Sequence, residues 1–162
     1  MGMFDFLKKK KNVEEIGAPI EGVAVASSEV PDPTFAEEML GKGIAIKPAV
    51  GKVYAPVDAT VGMIFDTKHA ITLTSEGGAE ILIHVGLDTV SLNGAPFTVH
   101  VSADDKVKKG DLPMEFDMDA IKAAGLEVIS PVIICNSDDF QGLERFVGKD
   151  VKPGDKIMEI EK

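Results

Sequence analysis

The sequence predicts an all-β fold: an antiparallel β-sandwich or barrel built on a duplicated β motif, with a few short helical turns. Three observations predict it. Apolar residues come in short β-branched runs, turn-forming residues recur between those runs, and a phrase near the C-terminus repeats an earlier one.

The runs are "GIAIKP", "GKVYAPV", "ATVGMIF", "HAITLT", "AEILIHV", "PFTVHV", "LPMEFD", "VISPVIICN" and "DKIMEIE", each of strand length and composition. Helical stretches are few. Residues 35–40 form a turn or two, and residues 118–124 another, capped by Asp117 and ended by Gly125. A third, weaker helical pattern covers residues 139–146. The repeat aligns "DKVKKGDLPMEFD" (105–117) with "KDVKPGDKIMEIE" (149–161) at an offset of 44. A fainter echo links "APIEGVAV" at Ala18 with "APVDATVG" at Ala55. Two copies are too few for a solenoid, so they read as two similar β motifs packed together. The "VKKGD" phrase also occurs in swinging-arm carrier domains. No lysine follows between Glu115 and Ala120 to serve as their modified residue, so that reading fails.

The 162 residues suit one domain, over residues 16–162, preceded by a flexible tail over residues 1–15. With 44% apolar residues the chain has a real core, and no apolar run reaches membrane-spanning length. The tail, "MGMFDFLKKKKN", sets Met3, Phe4, Phe6 and Leu7 beside four lysines. Two states fit it: a solvated arm, and an amphipathic helix lying weakly on anionic lipid through residues 1–11. It lacks the apolar core of a secretory signal, and Phe6 spoils a myristoylation motif. A net charge of −10 argues against nucleic acid and for a basic protein partner. The lone Cys135 excludes an internal disulfide framework, fits a reducing cytoplasm and reads as an inert buried thiol.

The chemistry centres on "TKHAITLTSEGGAEILIHV". An imidazole in an apolar strand costs free energy unless it has a partner or a task. A two-residue turn at Glu76-Gly77 pairs residues whose numbers sum to 153, which sets His69 directly opposite His84 on one face. A three-residue loop shifts the register by one and sends them to opposite faces. Facing imidazoles titrate as a coupled unit, and a neutral one offers a nucleophilic ring nitrogen. Three tasks fit: two ligands of a zinc ion, an acid–base pair, or a phosphoryl acceptor steadied by its neighbour. No nucleophile elbow, metalloprotease signature or Walker loop is present, and the pattern around His100 does not fix which side it faces.

Three segments together resemble one known family: "VPDPTFAEEMLGKGIAIKP", "GKVYAPVDATVGMIFDTKHAITLTSEGGAEILIHVGLDTVSLNG" and "FTVHVSADDKVKKGD". The family is the glucose-specific IIA component of the bacterial phosphoenolpyruvate:sugar phosphotransferase system. "TKHAI" and "ILIHVGLDTV" are the most specific motifs, and the tail is similar to that of the free-standing enteric form. The resemblance implies an antiparallel β-sandwich and a relay reaction. The carrier HPr hands its phosphoryl group to a IIA histidine, and IIA passes it to a cysteine of the IIB domain, which serves the IIC permease. It implies that His84 is the acceptor, on Nε2, that His69 steadies the phosphoryl group, and that Thr67 bonds within the site. It also implies that Asp32 and Asp88 receive basic groups of HPr, and that Phe35, Met39, Leu40, Phe65, Leu82 and Val90 form an apolar docking face. Gly86, two residues after His84, is placed to let its carbonyl orient the Nδ1 proton.

No cofactor is implied for the transfer. Zinc is implied at His69 and His84 when a regulated partner supplies a carboxylate. Unphosphorylated IIA of enteric bacteria inhibits permeases and glycerol kinase, so this chain is expected to have regulatory partners too. Lys42, Pro33, Thr34 and Leu82 depart from the family pattern on the partner face, and the two histidine motifs do not. Read without the resemblance, Asp32 and Asp88 are turn residues and the apolar positions are core.

Overall fold

The computed structural model describes residues 12–162, so the expected lipid-facing segment of the tail lies outside the described residues. The strands in chain order are β1 (Val13–Gly17), β2 (Gly22–Ala26), β3 (Lys42–Pro48), β4 (Lys52–Val53), β5 (Ala59–Ile64), β6 (Ala70–Ser75) and β7 (Glu80–His84). There follow β8 (Phe97–Val99), β9 (Lys106–Val107), β10 (Met114–Phe116), β11 (Ser130–Ile134), β12 (Gly142–Arg145), β13 (Lys149–Val151) and β14 (Lys156–Glu161). Two short helices, α1 (Pro33–Ala36) and α2 (Met118–Ala123), join them. An eight-stranded sheet runs β13-β2-β3-β11-β7-β6-β5-β9, and three-stranded sheets β1-β14-β12 and β4-β10-β8 accompany it. Every pairing is antiparallel, as expected of the sandwich.

The repeat is a structural duplication. In each copy a glycine with positive φ, Gly110 or Gly154, turns the chain. The aspartate after it takes the N–H of Lys108 or Lys152 on its carboxylate, at 2.9 and 2.8 Å. The two echoes meet there. The Ala55 N–H donates to the Asp111 carbonyl and the Ala18 N–H to that of Asp155, while Gly110 and Gly154 return bonds to Ala55 and Ala18. The copies then exchange contacts: the Gly17 N–H donates to the Pro56 carbonyl, and the Tyr54 N–H to that of Pro19. Two half-cores thereby share one interior, built on Ile16, Ile46, Leu73, Ile83, Met114 and Ile157.

A second, smaller cluster lies on the other face of the central sheet: Val25, Val30, Phe35, Ala45, Ala70, Leu82, Leu87, Ile129 and Ile133, with Phe65 against it. The central strands are therefore covered on both sides. That is why β7 reads as continuous Ile-Leu-Ile rather than an alternation. Each fully buried side chain of this kind contributes about 1.5–3 kcal/mol.

Four local expectations need correction. Val13–Gly17 is already a strand, paired with β14, so the ordered fold starts inside the segment read as tail. Residues 139–146 are not helical: a 3₁₀ turn at Ser137–Asp139 leads into β12, whose pairing with β14 overrides local helical pattern. The first helix starts two residues early, because Asp32 caps it and Pro33 sits at its first position. Cys135, just past the end of β11, is exposed. The second helix starts where expected and ends one residue sooner, at Ala123, with Asp117 accepting the Ala120 N–H and Gly125 at φ +79°.

Candidate functional site

The hairpin that carries both histidines has the other register. Its loop is Glu76-Gly77-Gly78, closed by the Ser75 N–H to the Ala79 carbonyl and by the Gly78 N–H to the Ser75 carbonyl. Partners across it sum to 154, so His84 faces Ala70 and not His69. The expected consequence, rings on opposite faces, does not follow either. The regular strand begins only at Ala70. His69 comes off the turn 66–68, in which Lys68 has φ +59°, so strict alternation does not govern it. Its ring lies 4.9 Å from that of His84, nearly perpendicular at 80°.

Each imidazole is held through Nδ1. His84 Nδ1 is 2.7 Å from the Gly86 carbonyl. A carbonyl only accepts, so Nδ1 carries the proton and, in the neutral ring, Nε2 carries the lone pair. His69 Nδ1 is 2.6 Å from the Thr67 hydroxyl. Among the described residues no buried side-chain polar atom lacks a partner. Within those residues neither Nε2 has a hydrogen-bond partner and neither is buried without one, so both reach solvent. Aromatic rings wall the pair: Phe35 is 4.9 Å from His84 and Phe65 is 5.3 Å from His69, edge to face.

Backbone conformation makes the Gly86 contact available. Gly86 has φ +73° and Asp88 φ +58°. A Cβ at Gly86 would lie 2.7 Å from Thr89 Cγ2 and 2.8 Å from the Glu127 carbonyl oxygen. Three contacts absent from the sequence reading secure this turn. The Gly86 N–H donates to Ser130 Oγ at 3.2 Å, the Leu87 N–H to the Glu127 carbonyl at 3.0 Å, and the Thr89 hydroxyl to the Val85 carbonyl at 2.6 Å. The available signal was the polar character of Thr89 and Ser130 inside apolar runs; both are fully buried.

Burial pushes the His69 pKa below its ordinary value. His84 is lowered mainly by burial and secondarily by the nearby His69, against upward pulls from the Gly86 carbonyl and from the Asp32 and Asp88 carboxylates. Both shifts favour the neutral form of the ring.

The remaining candidates divide. Leu82 and Phe35 are buried in the cluster beneath the histidines, with Phe65 packed against it. Met39, Leu40 and Val90 are exposed by 69%, 44% and 50%, the first two just after the helix that carries Phe35 and the third two residues after Asp88. Asp32 caps the first helix, accepting from the Thr34 N–H at 2.9 Å, so it serves the fold as well as the field at His84. Asp88 is exposed at the head of a 3₁₀ turn and makes no cap bond. Lys68 is exposed in the turn before the strand. His100 lies elsewhere, 2.7 Å from Glu115 on the β8/β10 pair. Among the described residues no three metal-ligating side chains gather, so the imidazole pair supplies two ligands at most.

Residues 14–140 match the model of the phosphoenolpyruvate-dependent sugar phosphotransferase system, EIIA 1, family. The chain belongs to that family. The EIIA family assignment is supported by a glucose-specific EIIA component of Oceanobacillus iheyensis, 45% identical over 96% of both chains. A beta-glucoside-specific EIIBCA component of Dickeya chrysanthemi is 52% identical over 81% of this chain, which spans only 21% of that longer protein. The solved structure of glucose permease IIA from Mycoplasma capricolum superposes with a TM-score of 0.83 at 34% identity, covering 91% of this chain and 95% of that one. The EIIA domain thus occurs both alone and joined to permease components.

Proposed function

We propose that the protein is a phosphocarrier of a glucose-type phosphotransferase system, accepting a phosphoryl group on His84 Nε2 from phosphorylated HPr and passing it to the cysteine of a IIB domain. The observation that carries this reading is the Nδ1–H bond of His84 to Gly86, which leaves a neutral, solvent-facing lone pair on Nε2.

In the forward step that lone pair attacks phosphorus. The N–P bond of the donor breaks, its imidazole leaves with the bonding pair, and the His84 ring becomes positively charged. The Gly86 carbonyl and the fields of Asp32 and Asp88 offset that charge, as their upward pull on its proton affinity indicates. With Thr67 donating to His69 Nδ1, His69 holds its own proton on Nε2 and donates it to a phosphoryl oxygen. The return step reverses the bookkeeping of bonds: the IIB thiolate attacks, the His84 N–P bond breaks, and the ring is neutral again. The chain's one arginine, Arg145, is bonded to Glu38, and the groups bonded to the two rings, the Thr67 hydroxyl and the Gly86 carbonyl, are neutral and modest. A carrier needs that, because tight binding of the phosphorylated state would slow the next transfer. The apolar Met39, Leu40 and Val90 between acidic groups suit brief docking of a basic carrier.

The transfer uses no cofactor. Zinc at the same pair is the second reading, favoured by two solvent-facing Nε2 atoms. His69 and His84 would hold the ion, and a regulated partner (a permease or glycerol kinase) would complete the site with a carboxylate. We place the protein in the cytoplasm, with residues 1–11 giving weak contact with the inner membrane.

The test is incubation with phosphoenolpyruvate, the system's first kinase and HPr, followed by location of acid-labile phosphate. Phosphate is expected on His84, absent in His84→Gln, and acquired but not passed on in His69→Gln. No phosphate on a folded wild-type chain would sink the carrier reading and leave zinc titration to decide the second.

A further inference from the structure

Immediately after the first helix the chain does something costly. Glu38 adopts φ +57°, a left-handed conformation that side chains other than Gly and Asn rarely take and that persists only where surroundings over-determine it. Three residues on, Gly41 at φ +139° presses against β11, where a Cβ would sit 2.3 Å from the Ile134 carbonyl oxygen. Met39 and Leu40, two exposed apolar side chains, lie between these points. Phe35, which packs on the His84 ring, lies one turn before.

The Glu38 carboxylate is what holds this segment. It accepts the Gly43 N–H at 3.0 Å and Arg145 Nη1 at 2.7 Å on one oxygen, and Arg145 Nη2 at 3.3 Å on the other. Arg145 Nη1 also donates to the Gly43 carbonyl at 3.2 Å. The guanidinium fork thus grips a carboxylate and the backbone of the first residues of β3 together, a geometry a lysine cannot reproduce. Arg145 reaches across from the β1-β14-β12 sheet, 107 residues along the chain.

We propose that Arg145 is a positioning residue for partner docking: through Glu38 it holds residues 34–41 in the shape that the phosphoryl donor and acceptor meet. The proposal rests on the carrier reading for its kinetic consequence but not for the ordering itself. It also carries an unusual sign. The protein has a net charge of −10, so loss of one positive charge strengthens long-range attraction of a basic carrier. Electrostatics alone predicts a lower KM for an arginine-to-neutral change, and loss of the clamp predicts a higher one.

The experiment uses the full chain with Arg145→Met, Arg145→Lys and Glu38→Gln, each first shown to be folded by its far-ultraviolet spectrum and melting transition. Two quantities are read: amide hydrogen exchange over residues 34–43, and KM and kcat for phosphoryl acceptance from phosphorylated HPr. Arg145→Met and Glu38→Gln are expected to speed exchange in that segment and to raise KM about threefold to tenfold with kcat unchanged, the scale of coupling through one contact network. Arg145→Lys is expected to recover part of the KM. Unchanged exchange in both Arg145→Met and Glu38→Gln overturns the proposal, as does a KM that stays level or falls in Arg145→Met. If Arg145→Met does not fold, Glu38→Gln decides alone. If the wild-type chain accepts no phosphoryl group, the carrier reading has failed, and the exchange data still decide whether Arg145 holds the segment.

Discussion

Gly86→Ala tests whether the backbone turn after β7 sets the chemistry of His84. The residue sits at φ +73°, where a side chain costs about 1–2 kcal/mol by itself. The added methyl also meets Thr89 Cγ2 at 2.7 Å and the Glu127 carbonyl oxygen at 2.8 Å. Thr89 is anchored to Val85 and Glu127 to Leu87, so neither neighbour yields freely, and overpacking adds about 1–3 kcal/mol. Gly78→Ala supplies the control. It lies in the loop of the same hairpin at φ +92° with nothing within 4 Å of its Cβ position, so it reports the conformational cost alone. Urea unfolding should therefore find Gly86→Ala less stable than Gly78→Ala by about the overpacking term of 1–3 kcal/mol. Displacing the Gly86 carbonyl also loosens the His84 Nδ1–H bond, whose net worth of about 0.5–1.5 kcal/mol corresponds to acceptance slowed by roughly twofold to tenfold. Nitrogen-15 spectra of the imidazole should show one Nδ1–H tautomer in the wild type and in Gly78→Ala, and a mixture in Gly86→Ala. The reasoning is refuted if the two variants are equally stable, with a single tautomer and wild-type acceptance rates in both.

Two further outcomes follow from the same site. Thr67→Val keeps the shape of the side chain but removes the hydroxyl that partners His69 Nδ1, in a residue just 5% exposed; stability should fall by about 1–3 kcal/mol in denaturant titration. Onward transfer to IIB should slow more than acceptance does in rapid-quench measurements, and equal slowing would show that Thr67 does not act through His69. Both histidines have folded-state pKa values below their ordinary value, so the unfolded chain binds protons first as pH falls. Their contribution to stability is complete above the ordinary histidine pKa of about 6.5 and is lost as pH drops through the lowered folded values. Denaturant midpoints measured down that range should decline in the wild type, and much less in a chain with both His69→Gln and His84→Gln.

The sequence by itself determined the parts that depend on neighbours along the chain. Asp117 and Gly125 bound a helix because capping is settled within a turn. The repeat announces its duplication because each copy makes the same local turn, with an aspartate gripping the N–H three residues back. The two histidine motifs single out a pair of imidazoles, and the Gly86 contact is legible because a glycine two residues after a histidine is a local device.

Tertiary structure decided what depends on distant partners. The hairpin register differs by one residue because a two-residue and a three-residue loop are equally available to Glu-Gly-Gly. The rings meet nonetheless, because His69 leaves the strand under the packing of Phe65. Residues 142–145 became a strand through pairing with β14, against their local helical pattern. Cys135 is exposed although it ends an apolar run, because the sheet ends before it. The grip of Arg145 on Glu38 joins positions 107 residues apart, and nothing in either neighbourhood foretells it. Local turns and caps are written in adjacent residues, whereas register, exposure and long-range ion pairs follow from which surfaces the folded chain brings together.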